Sequence, residues 1–210
     1  MKIIFLGAPG AGKGTQADRV SERLGIPTIS TGAIIRSALK NGTKMGLEAK
    51  KFIEAGALVP DNVVIGIVKE RLSESDCDKG YILDGFPRSV PQAIALEEMG
   101  VKLDKVVSYE ISDEAIVERM SGRRVCSGCG RTYHIVHLPS KKGDVCEDCG
   151  TKLSIRADDA PDVVRSRLEV YHSTTEPLKD YYHERGMLCT VDATDGVDEI
   201  TKRTFEALKS

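Results

Sequence analysis

The feature that most constrains this chain is a glycine-rich loop placed between an apolar segment and a helix-forming one. Ile3 to Leu6 form a short apolar run that predicts a buried strand, and the segment from Lys13 to about Leu24 predicts a helix. Residues 7–15, which join them, read GAPGAGKGT. Glycines let backbone N–H groups turn toward phosphate oxygens, while the helix N-terminus and Lys13 add positive charge. The loop therefore predicts a phosphate site.

The loop departs from the simplest phosphate-binding pattern at one position. That pattern places Ser or Thr directly after the lysine, whereas here Gly14 intervenes and the hydroxyl belongs to Thr15. Thr15 is therefore not assigned as a direct magnesium ligand. The glycine spacing also differs from G-x-G-x-x-G, which argues against a dinucleotide fold. The alternative is an ordinary glycine turn, which the neighbouring strand, helix and lysine make the weaker interpretation.

The rest of the chain alternates between short apolar runs and helical patterns. Such alternation predicts an α/β fold with a parallel sheet covered on both faces. Thr31, Asp61 and Ser112 are expected to cap helices. Residues 122–159 interrupt the rhythm, because they are rich in Gly, Cys and charge, and we interpret them as an insertion. Further strands are predicted at 27–30, 81–84, 106–111 and 188–191. Further helices are predicted at 31–40, 44–54, 61–73, 91–99 and 162–184. Two more helices are predicted, one beginning at residue 113 and one at the C-terminus.

Composition and charge narrow the class of function. The chain of 210 residues is 40% hydrophobic and 30% charged, which is typical of a globular protein. A formal net charge of −2 gives no general basic surface for nucleic acid. No apolar run is long enough for a membrane span. The apolar run at the N-terminus stops at the glycine loop, whereas a signal peptide would need a longer run and a small-residue cleavage site. We therefore expect a cytoplasmic protein with no nucleic-acid or membrane partner.

A second motif follows the strand predicted at 81–84. Residues 81–88 read YILDGFPR, so an apolar strand ends in Asp84 and a tight turn leads to Arg88. An acid at this place is where phosphate-loop enzymes hold magnesium, directly or through water, so Asp84 is the magnesium candidate. Arg88 would lie at the carboxyl edge of the sheet, where α/β folds bind ligands. Alone, the motif fits a surface turn equally well.

Four of the six cysteines form two matched pairs inside the insertion. Cys126 and Cys129 are separated by two residues, as are Cys146 and Cys149, and a glycine follows each pair. This spacing predicts a tetrahedral thiolate zinc site with no open position, hence a structural one. Disulfides and an iron–sulfur cluster are the alternatives. Cys77 and Cys189 are interpreted as small hydrophobic residues.

Together these motifs resemble the adenylate kinase family. The matching stretches are the loop at 7–15, Ser30-Thr31-Gly32 with Arg36, the 84–88 turn with Gln92, and Gly122-Arg123-Arg124 with the later residues Arg156, Asp158, Asp159 and Arg167. The resemblance covers essentially the whole chain, and the cysteine segment resembles the zinc-binding lid of the long-form members.

The resemblance implies a three-layer fold of the P-loop nucleoside monophosphate kinase type. A core of residues 1–29, 60–121 and 160–210 would contain a five-stranded parallel sheet. Residues 30–59 would bind AMP, and residues 122–159, called the lid below, would carry zinc. The implied activity is reversible phosphoryl transfer from MgATP to AMP, which gives two ADP. The resemblance also implies a monomer that acts on the small molecules ATP, AMP and ADP.

The resemblance also implies roles for particular residues. Lys13, Arg88, Arg123, Arg156 and Arg167 would be catalytic, and Asp84 would hold magnesium through water. The residues implied at the ATP site are Gly10, Ala11, Gly12, Lys13, Gly14, Thr15, Arg119, Arg123, Thr132, Tyr133 and Val197. Those implied at the AMP site are Thr31, Arg36, Ala57, Leu58, Val59, Gly85, Phe86, Pro87, Arg88, Gln92, Arg156 and Arg167. Zinc would be held by Cys126, Cys129, Cys146 and Cys149.

One position differs from the family pattern. Ala33 stands where an Asp is usual, without loss of any implied phosphate contact, so we expect activity to be retained. Three rival functions remain at this point: a kinase of another nucleoside monophosphate, a zinc-ribbon ATPase that binds nucleic acid, and a nucleotide-binding module without catalysis. Gln92 favours adenine, because an amide can both donate to and accept from its Watson–Crick edge.

Overall fold

Five parallel strands form the centre of the molecule. The structure is a computed structural model, and it describes residues 1–55 and 57–209 apart from the side chain of Met45. The strands are β1 (Lys2–Gly7), β2 (Thr28–Ser30), β3 (Tyr81–Asp84), β4 (Lys105–Glu110) and β8 (Leu188–Asp192), in the order β2-β3-β1-β4-β8. All neighbouring pairs are parallel. The predicted five-stranded parallel sheet is confirmed.

Nine helices accompany the sheet in the described residues. They are α1 (Lys13–Leu24), α2 (Thr31–Lys40), α3 (Lys44–Glu54), α4 (Asp61–Leu72), α5 (Val90–Glu98), α6 (Asp113–Gly122), α7 (Pro161–Val170), α8 (Leu178–His183) and α9 (Val197–Ala207). Short 3₁₀ helices lie at Ser75–Cys77 and Ala157–Asp159, and a π-helical turn at Tyr171–Thr175. None of the described helices is both long and apolar enough to cross a membrane.

The sheet is buried on both faces because alternate strand residues point to opposite sides. Ile4, Leu83 and Val106 are paired across three strands and are 0% exposed on the face that α4, α5 and α8 cover. Phe5 and Val107 belong to the opposite cluster, which α1 and α9 cover. The result is the expected three-layer arrangement.

Parallel strands bring their carboxyl ends to one edge of the sheet. Gly7 ends β1, Asp84 ends β3 and Ser30 ends β2, and Ser30 and Asp84 are register partners. The glycine loop, the Asp84 turn and the start of α2 therefore lie together. This edge is where a ligand site is expected.

Two of the predicted helix caps were assigned to the wrong residue. Ser30, not Thr31, caps α2, since its side chain accepts from the N–H of Ala33. Asp61 is the first residue of α4 after Pro60, and its carboxylate accepts hydrogen bonds from residues outside that helix. The cap at Ser112 is confirmed, because its side chain accepts from the N–H of Ala115.

The single long helix predicted at 162–184 was also wrong. The structure has α7, then the π-helical turn, then α8. In the π turn the N–H of Glu176 donates to the carbonyl of Tyr171 at 2.9 Å, five residues earlier. Pro177 has no N–H to continue the helical ladder, which explains the break.

A second, antiparallel sheet lies within the lid. It contains β5 (Arg123–Cys126), β6 (Thr132–His134) and β7 (Leu153–Ser154) in the order β6-β5-β7. β5 follows α6 directly, so Arg123 stands at the junction of core and lid. The boundaries proposed from the sequence for the three parts remain predictions, and Gly56 and Ser210 within them lie outside the described residues.

Candidate active site

The glycine loop wraps the end of β1 and leads into α1. Gly12 immediately precedes α1 with φ +93°, a left-handed conformation that side-chain-bearing residues rarely adopt. The Lys13 ammonium is folded back onto the loop, donating to the carbonyls of Gly7 at 2.6 Å and Ala8 at 2.8 Å. Burial lowers the pKa of Lys13 to about 8, with the Asp84 charge opposing the shift. Phosphate oxygens entering the loop would replace these carbonyl contacts.

The turn after β3 carries Arg88 into the same cleft. Gly85 has φ +78°, and a Cβ there would lie 2.8 Å from Arg88 Nη2, so only glycine lets the guanidinium fold over the turn. Arg88 Nε donates to the Gly85 carbonyl at 2.8 Å. Asp84 faces the loop, because a Cβ on Gly14 would lie 3.8 Å from its Oδ2. The carboxylate and the phosphate loop therefore share one site.

Three arginines from the far side of the cleft meet two buried carboxylates. Arg123 Nε donates to Asp159 Oδ2 at 2.7 Å, and Arg156 Nε donates to Asp158 Oδ1 at 2.8 Å. Arg167 Nη1 donates to Asp158 Oδ2 at 3.0 Å. These contacts hold the guanidinium groups at the cleft.

The electrostatics of this cluster follow from burial and crowding. Burial would raise the pKa of Asp158, but the hydrogen bond and charge of Arg156, with Arg167 and Arg123, outweigh it and hold that pKa well below its usual range. Burial lowers the pKa of Arg36 and of Arg167 to about 10, and neighbouring guanidinium groups add to the effect. Both arginines remain charged at neutral pH, so the cleft attracts anions.

Almost all of the residues predicted for the two nucleotides line this one cleft. On the predicted ATP side they are Gly10, Gly12, Lys13, Gly14, Thr15, Arg119, Arg123, Thr132, Tyr133 and Val197. On the predicted AMP side they are Thr31, Arg36, Ala57, Leu58, Val59, Gly85, Pro87, Arg88, Gln92, Arg156 and Arg167. Asp84, the magnesium candidate, lines the same cleft.

Ala11 and Phe86 are not among the residues that line the cleft. Each is 0% exposed, Ala11 in the cluster beneath α1 and Phe86 in the cluster on the opposite face of the sheet. The N–H of Ala11 donates to the carbonyl of Ala8 at 3.2 Å. Their neighbours in the motif line the cleft, so these two residues support its walls from behind.

The predicted AMP side combines apolar walls with fixed polar groups. Ile35, Ile53 and Val64 line it together with the predicted residues. Thr31 Oγ1 donates to the Gly85 carbonyl at 2.7 Å, so this hydroxyl also secures the Asp84 turn. Apolar walls with a few oriented polar groups are what a planar base requires.

Comparison with known proteins decides the family. The family model described as adenylate kinase matches residues 5–187. A protein named adenylate kinase from Caldicellulosiruptor saccharolyticus is 50% identical to this chain, and the match covers 99% of each of the two chains. One from Archaeoglobus fulgidus is also 50% identical, and the match covers 100% of each. One from Methanosarcina barkeri is also 50% identical, over 100% of this chain and 97% of its own.

The chain belongs to the adenylate kinase family. It is accordingly a phosphotransferase of the ATP:AMP class, as the motifs predicted, and the zinc-ribbon ATPase alternative is not favoured.

The four paired cysteines of this adenylate kinase chain come together in the lid. Their sulfur atoms all lie within 4.8 Å of one another, and all four are free thiols rather than disulfides. Four ligands about 2.3 Å from one zinc ion would be roughly 3.8 Å apart, so the set fits a tetrahedral thiolate site. The hydroxyl of Tyr133 and backbone N–H groups at Cys149 and Asp148 lower the pKa of the Cys146 thiol, favouring the thiolate.

Sequence reasoning missed two groups that hold the kinase's arginines in place. Asp158 and Asp159 were noted within a motif without a role, yet they bind all three distal arginines. Thr175 was not singled out, although its Oγ1 donates to the Arg88 carbonyl at 2.8 Å from the π-helical turn. A π turn often marks a functional site, but its position is not readable from this sequence.

Proposed function

We propose that the cleft binds MgATP and AMP end to end and transfers the terminal phosphoryl group of ATP to AMP, reversibly, to give two ADP. The observation that carries this proposal is the convergence of Lys13 and a set of partly buried arginines on one cleft beside a phosphate loop. In this proposal the arginines are Arg36, Arg88, Arg119, Arg123, Arg156 and Arg167.

On the AMP side, Arg36 and Arg88 would hold the phosphate. Arg88 is fixed at its side chain by the Gly85 carbonyl and at its own carbonyl by Thr175, which leaves its terminal nitrogens for an anion. Thr31 and Gln92 would face the adenine, and Ala57 to Val59 would line its pocket. A guanidinium is suited to phosphate because it donates in a planar fork.

On the ATP side, Gly10 to Thr15 would cradle the phosphates, and Ala11 would contribute through the loop's backbone shape. Arg119, whose Nη2 donates to the Thr194 carbonyl at 3.0 Å, would lie against the base. Val197, at the start of α9, would contact the nucleotide as well. Thr132 and Tyr133 would close over ATP from the lid, with Arg123 entering from the same side.

The chemistry asks mainly for positioning and charge stabilisation. Lys13, Arg88, Arg123, Arg156 and Arg167 would surround the group in transit and stabilise the charge on its oxygens. When bound, magnesium would neutralise phosphate charge, with Asp84 holding it through water. No general base is required, because the attacking phosphate oxygen of AMP is already an anion. Closing of the lid would keep water from the transferred group.

We also propose the division into a core (1–29, 60–121 and 160–210), an AMP-binding part (30–59) and the lid (122–159). Zinc at Cys126, Cys129, Cys146 and Cys149 would stabilise the lid and thereby support Arg123 and Tyr133, without taking part in the chemistry itself. One chain supplies every residue of the proposed site, which supports a monomer. Reduced, clustered thiols favour a cytoplasmic enzyme.

The test measures ADP formation from ATP and AMP, with and without Mg²⁺. We expect dependence on magnesium and a loss of roughly two orders of magnitude or more in Arg88→Ala, because a phosphoryl-charge stabiliser is removed. Arg185→Ala is the matched control, because Arg185 lies away from the cleft. Its Nε pairs there with Glu97 Oε1 at a distance of 3.1 Å. Equal activity of Arg88→Ala and Arg185→Ala would refute the assignment of Arg88.

A panel of AMP, GMP, CMP and UMP with MgATP tests the choice of base. We expect AMP to be phosphorylated fastest. If another monophosphate reacted faster than AMP, the AMP assignment would be wrong and the enzyme would be a kinase of that nucleotide. Hydrolysis of ATP stimulated by DNA or RNA and independent of AMP would instead support the ATPase alternative.

A further inference from the structure

The amide of Gln92 is held at both of its polar atoms. Its side chain lines the AMP side of the cleft, although the residue is only 1% exposed. Oε1 accepts from the backbone N–H of Arg88 at 2.7 Å, and Nε2 donates to Asp61 Oδ1 at 2.6 Å. Asp61 belongs to α4 and Gln92 to α5, so the second bond joins two helices.

These two partners fix which end of the amide is oxygen and which is nitrogen. A backbone N–H can only donate, so Arg88 requires Oε1 on its side. A carboxylate can only accept, so Asp61 requires Nε2 on the other. Rotating the amide by half a turn would place two donors together at Arg88 and two acceptors together at Asp61. In a buried site, each unsatisfied group carries a large penalty.

The fixed orientation matters because purines differ in the order of their hydrogen-bonding groups. A 6-aminopurine presents a donor at position 6 and an acceptor at N1, whereas a 6-oxopurine presents an acceptor at position 6 and a donor at N1. After its two internal bonds, the Gln92 amide keeps one N–H and one acceptor lone pair. A freely rotating amide could serve either purine, whereas an amide of fixed order matches only one.

We propose that Asp61 is a specificity-determining positioning residue that locks the Gln92 amide for a 6-aminopurine and against a 6-oxopurine. This inference rests on the proposed function, in which Gln92 faces the base. Asp61 is itself held, since it also accepts from Ser89 Oγ at 2.9 Å, at the N-cap of α5. The carboxylate at the start of α4 therefore binds α5 and sets the polarity of the base pocket.

The experiment compares AMP with IMP, which differ in exactly this donor and acceptor order. In Asp61→Leu we expect the KM for AMP to rise about tenfold, with kcat at saturating AMP within about threefold of the parent. The ratio of kcat/KM for AMP over IMP should fall about tenfold. The Arg88 N–H still orients Oε1, so discrimination is weakened rather than abolished. Asp61→Ser, whose hydroxyl is too short to reach Nε2, should behave likewise if the leucine variant folds poorly.

Two variants separate this role from a purely structural one. Asp61→Asn keeps an acceptor oxygen for Gln92 and can donate to Ser89, so it should restore the AMP to IMP ratio. Asp162→Leu is the matched control, because Asp162 also follows a proline in the first turn of a helix but is exposed and outside the cleft. It should leave both the ratio and the KM unchanged.

Gln92→Leu distinguishes failure of this inference from failure of the proposed base contact. If Gln92→Leu lowers the AMP to IMP ratio while Asp61→Leu and Asp61→Ser leave it unchanged, the role of Asp61 is refuted and the base contact stands. If Gln92→Leu itself leaves the ratio unchanged, both are refuted. In support, Asp61→Leu should have no further effect on the ratio in a Gln92→Leu background.

Discussion

The five-stranded sheet buries whole aliphatic side chains on both faces, whereas the hydrophobic cluster of the lid consists of Cys126, Tyr133 and Cys146 with Leu153 packed against it. Both regions supply cations to one cleft. The sheet can hold its loops through burial of apolar surface alone. The lid, with so small a cluster, depends on its thiol set, and the four thiols lie where a zinc ion would link them.

The comparison teaches that one active site can be assembled from parts of unequal stability. Lys13, Asp84 and Arg88 lie at the carboxyl edge of the sheet, on or next to its strands. Arg123 belongs to β5, whose last residue is the first thiol, Cys126. We expect a lid held together by bound zinc to place Arg123 accurately, although it buries little apolar surface of its own. The four predictions below run from the largest expected effect to the smallest, and the first two test this contrast directly.

Truncation in the sheet should cost the most stability. Leu83→Ala removes a side chain that is 0% exposed on a central strand, so we expect about 3 to 4 kcal/mol less free energy of unfolding, measured by urea denaturation. Leu153→Ala, at a half-buried lid position, should cost less than about 1 kcal/mol. Equal losses would remove the contrast between the two regions.

Loss of the thiol set should damage activity more than it damages the sheet. For Cys146→Ser, or after chelation, we expect kcat/KM for ADP formation to fall roughly 100-fold, because Arg123 and the backbone near Tyr133 lose their support. Bound zinc, measured by release to a chromogenic chelator, should fall in parallel. Far-UV circular dichroism of the sheet and helices should persist. Cys77→Ser, outside the thiol set, is the control that should retain metal.

The cation of the glycine loop should lose its charge at mildly alkaline pH. Burial lowers the pKa of Lys13 to about 8, so its charge is lost as the pH rises through that value. We expect the Kd of a non-hydrolysable ATP analogue to rise by up to about tenfold between about pH 7.5 and 9.5, measured by calorimetry. Lys13→Arg should flatten this dependence. An unchanged Kd in the parent enzyme would show that Lys13 keeps its proton.

A histidine of the π-helical turn should contribute a small stability that depends on pH. His172 lies between Glu176 at 2.7 Å and Asp113 at 3.0 Å, and both hydrogen bonds raise its pKa. A raised pKa in the folded state means that the stabilisation is present below about pH 6.5 and is lost as the pH rises further.

For His172→Gln we therefore expect a loss of free energy of unfolding at about pH 5.5 that disappears by about pH 8. The side chain is 45% exposed, so solvent screening keeps the loss below about 1 kcal/mol. His183→Gln is the control, because His183 lies on α8 outside these contacts. A loss of the same size at both pH values would show that charge plays no part.

Much of the site was predictable because its signals are local. The loop at 7–15, the 84–88 turn and the cysteine pairs each combine a residue type with a spacing that chemistry explains, and the structure brings them to one edge of the sheet or one cluster. Helix bounds at α1 and α3 also agree with the sequence patterns. Ala11 and Phe86 are buried and do not line the cleft, since a motif does not reveal which of its residues face inward.

What the sequence by itself determined was the class of fold, the phosphate loop, the thiol set and the family. What only the tertiary structure decided was the use of residues that act across long separations. Asp61 was expected to cap a helix but binds Gln92, and Thr175 holds Arg88 from a turn that breaks a predicted helix. The physical reason is that periodicity and spacing report neighbours along the chain, whereas a carboxylate or hydroxyl chooses its partner among groups that packing brings within about 3 Å.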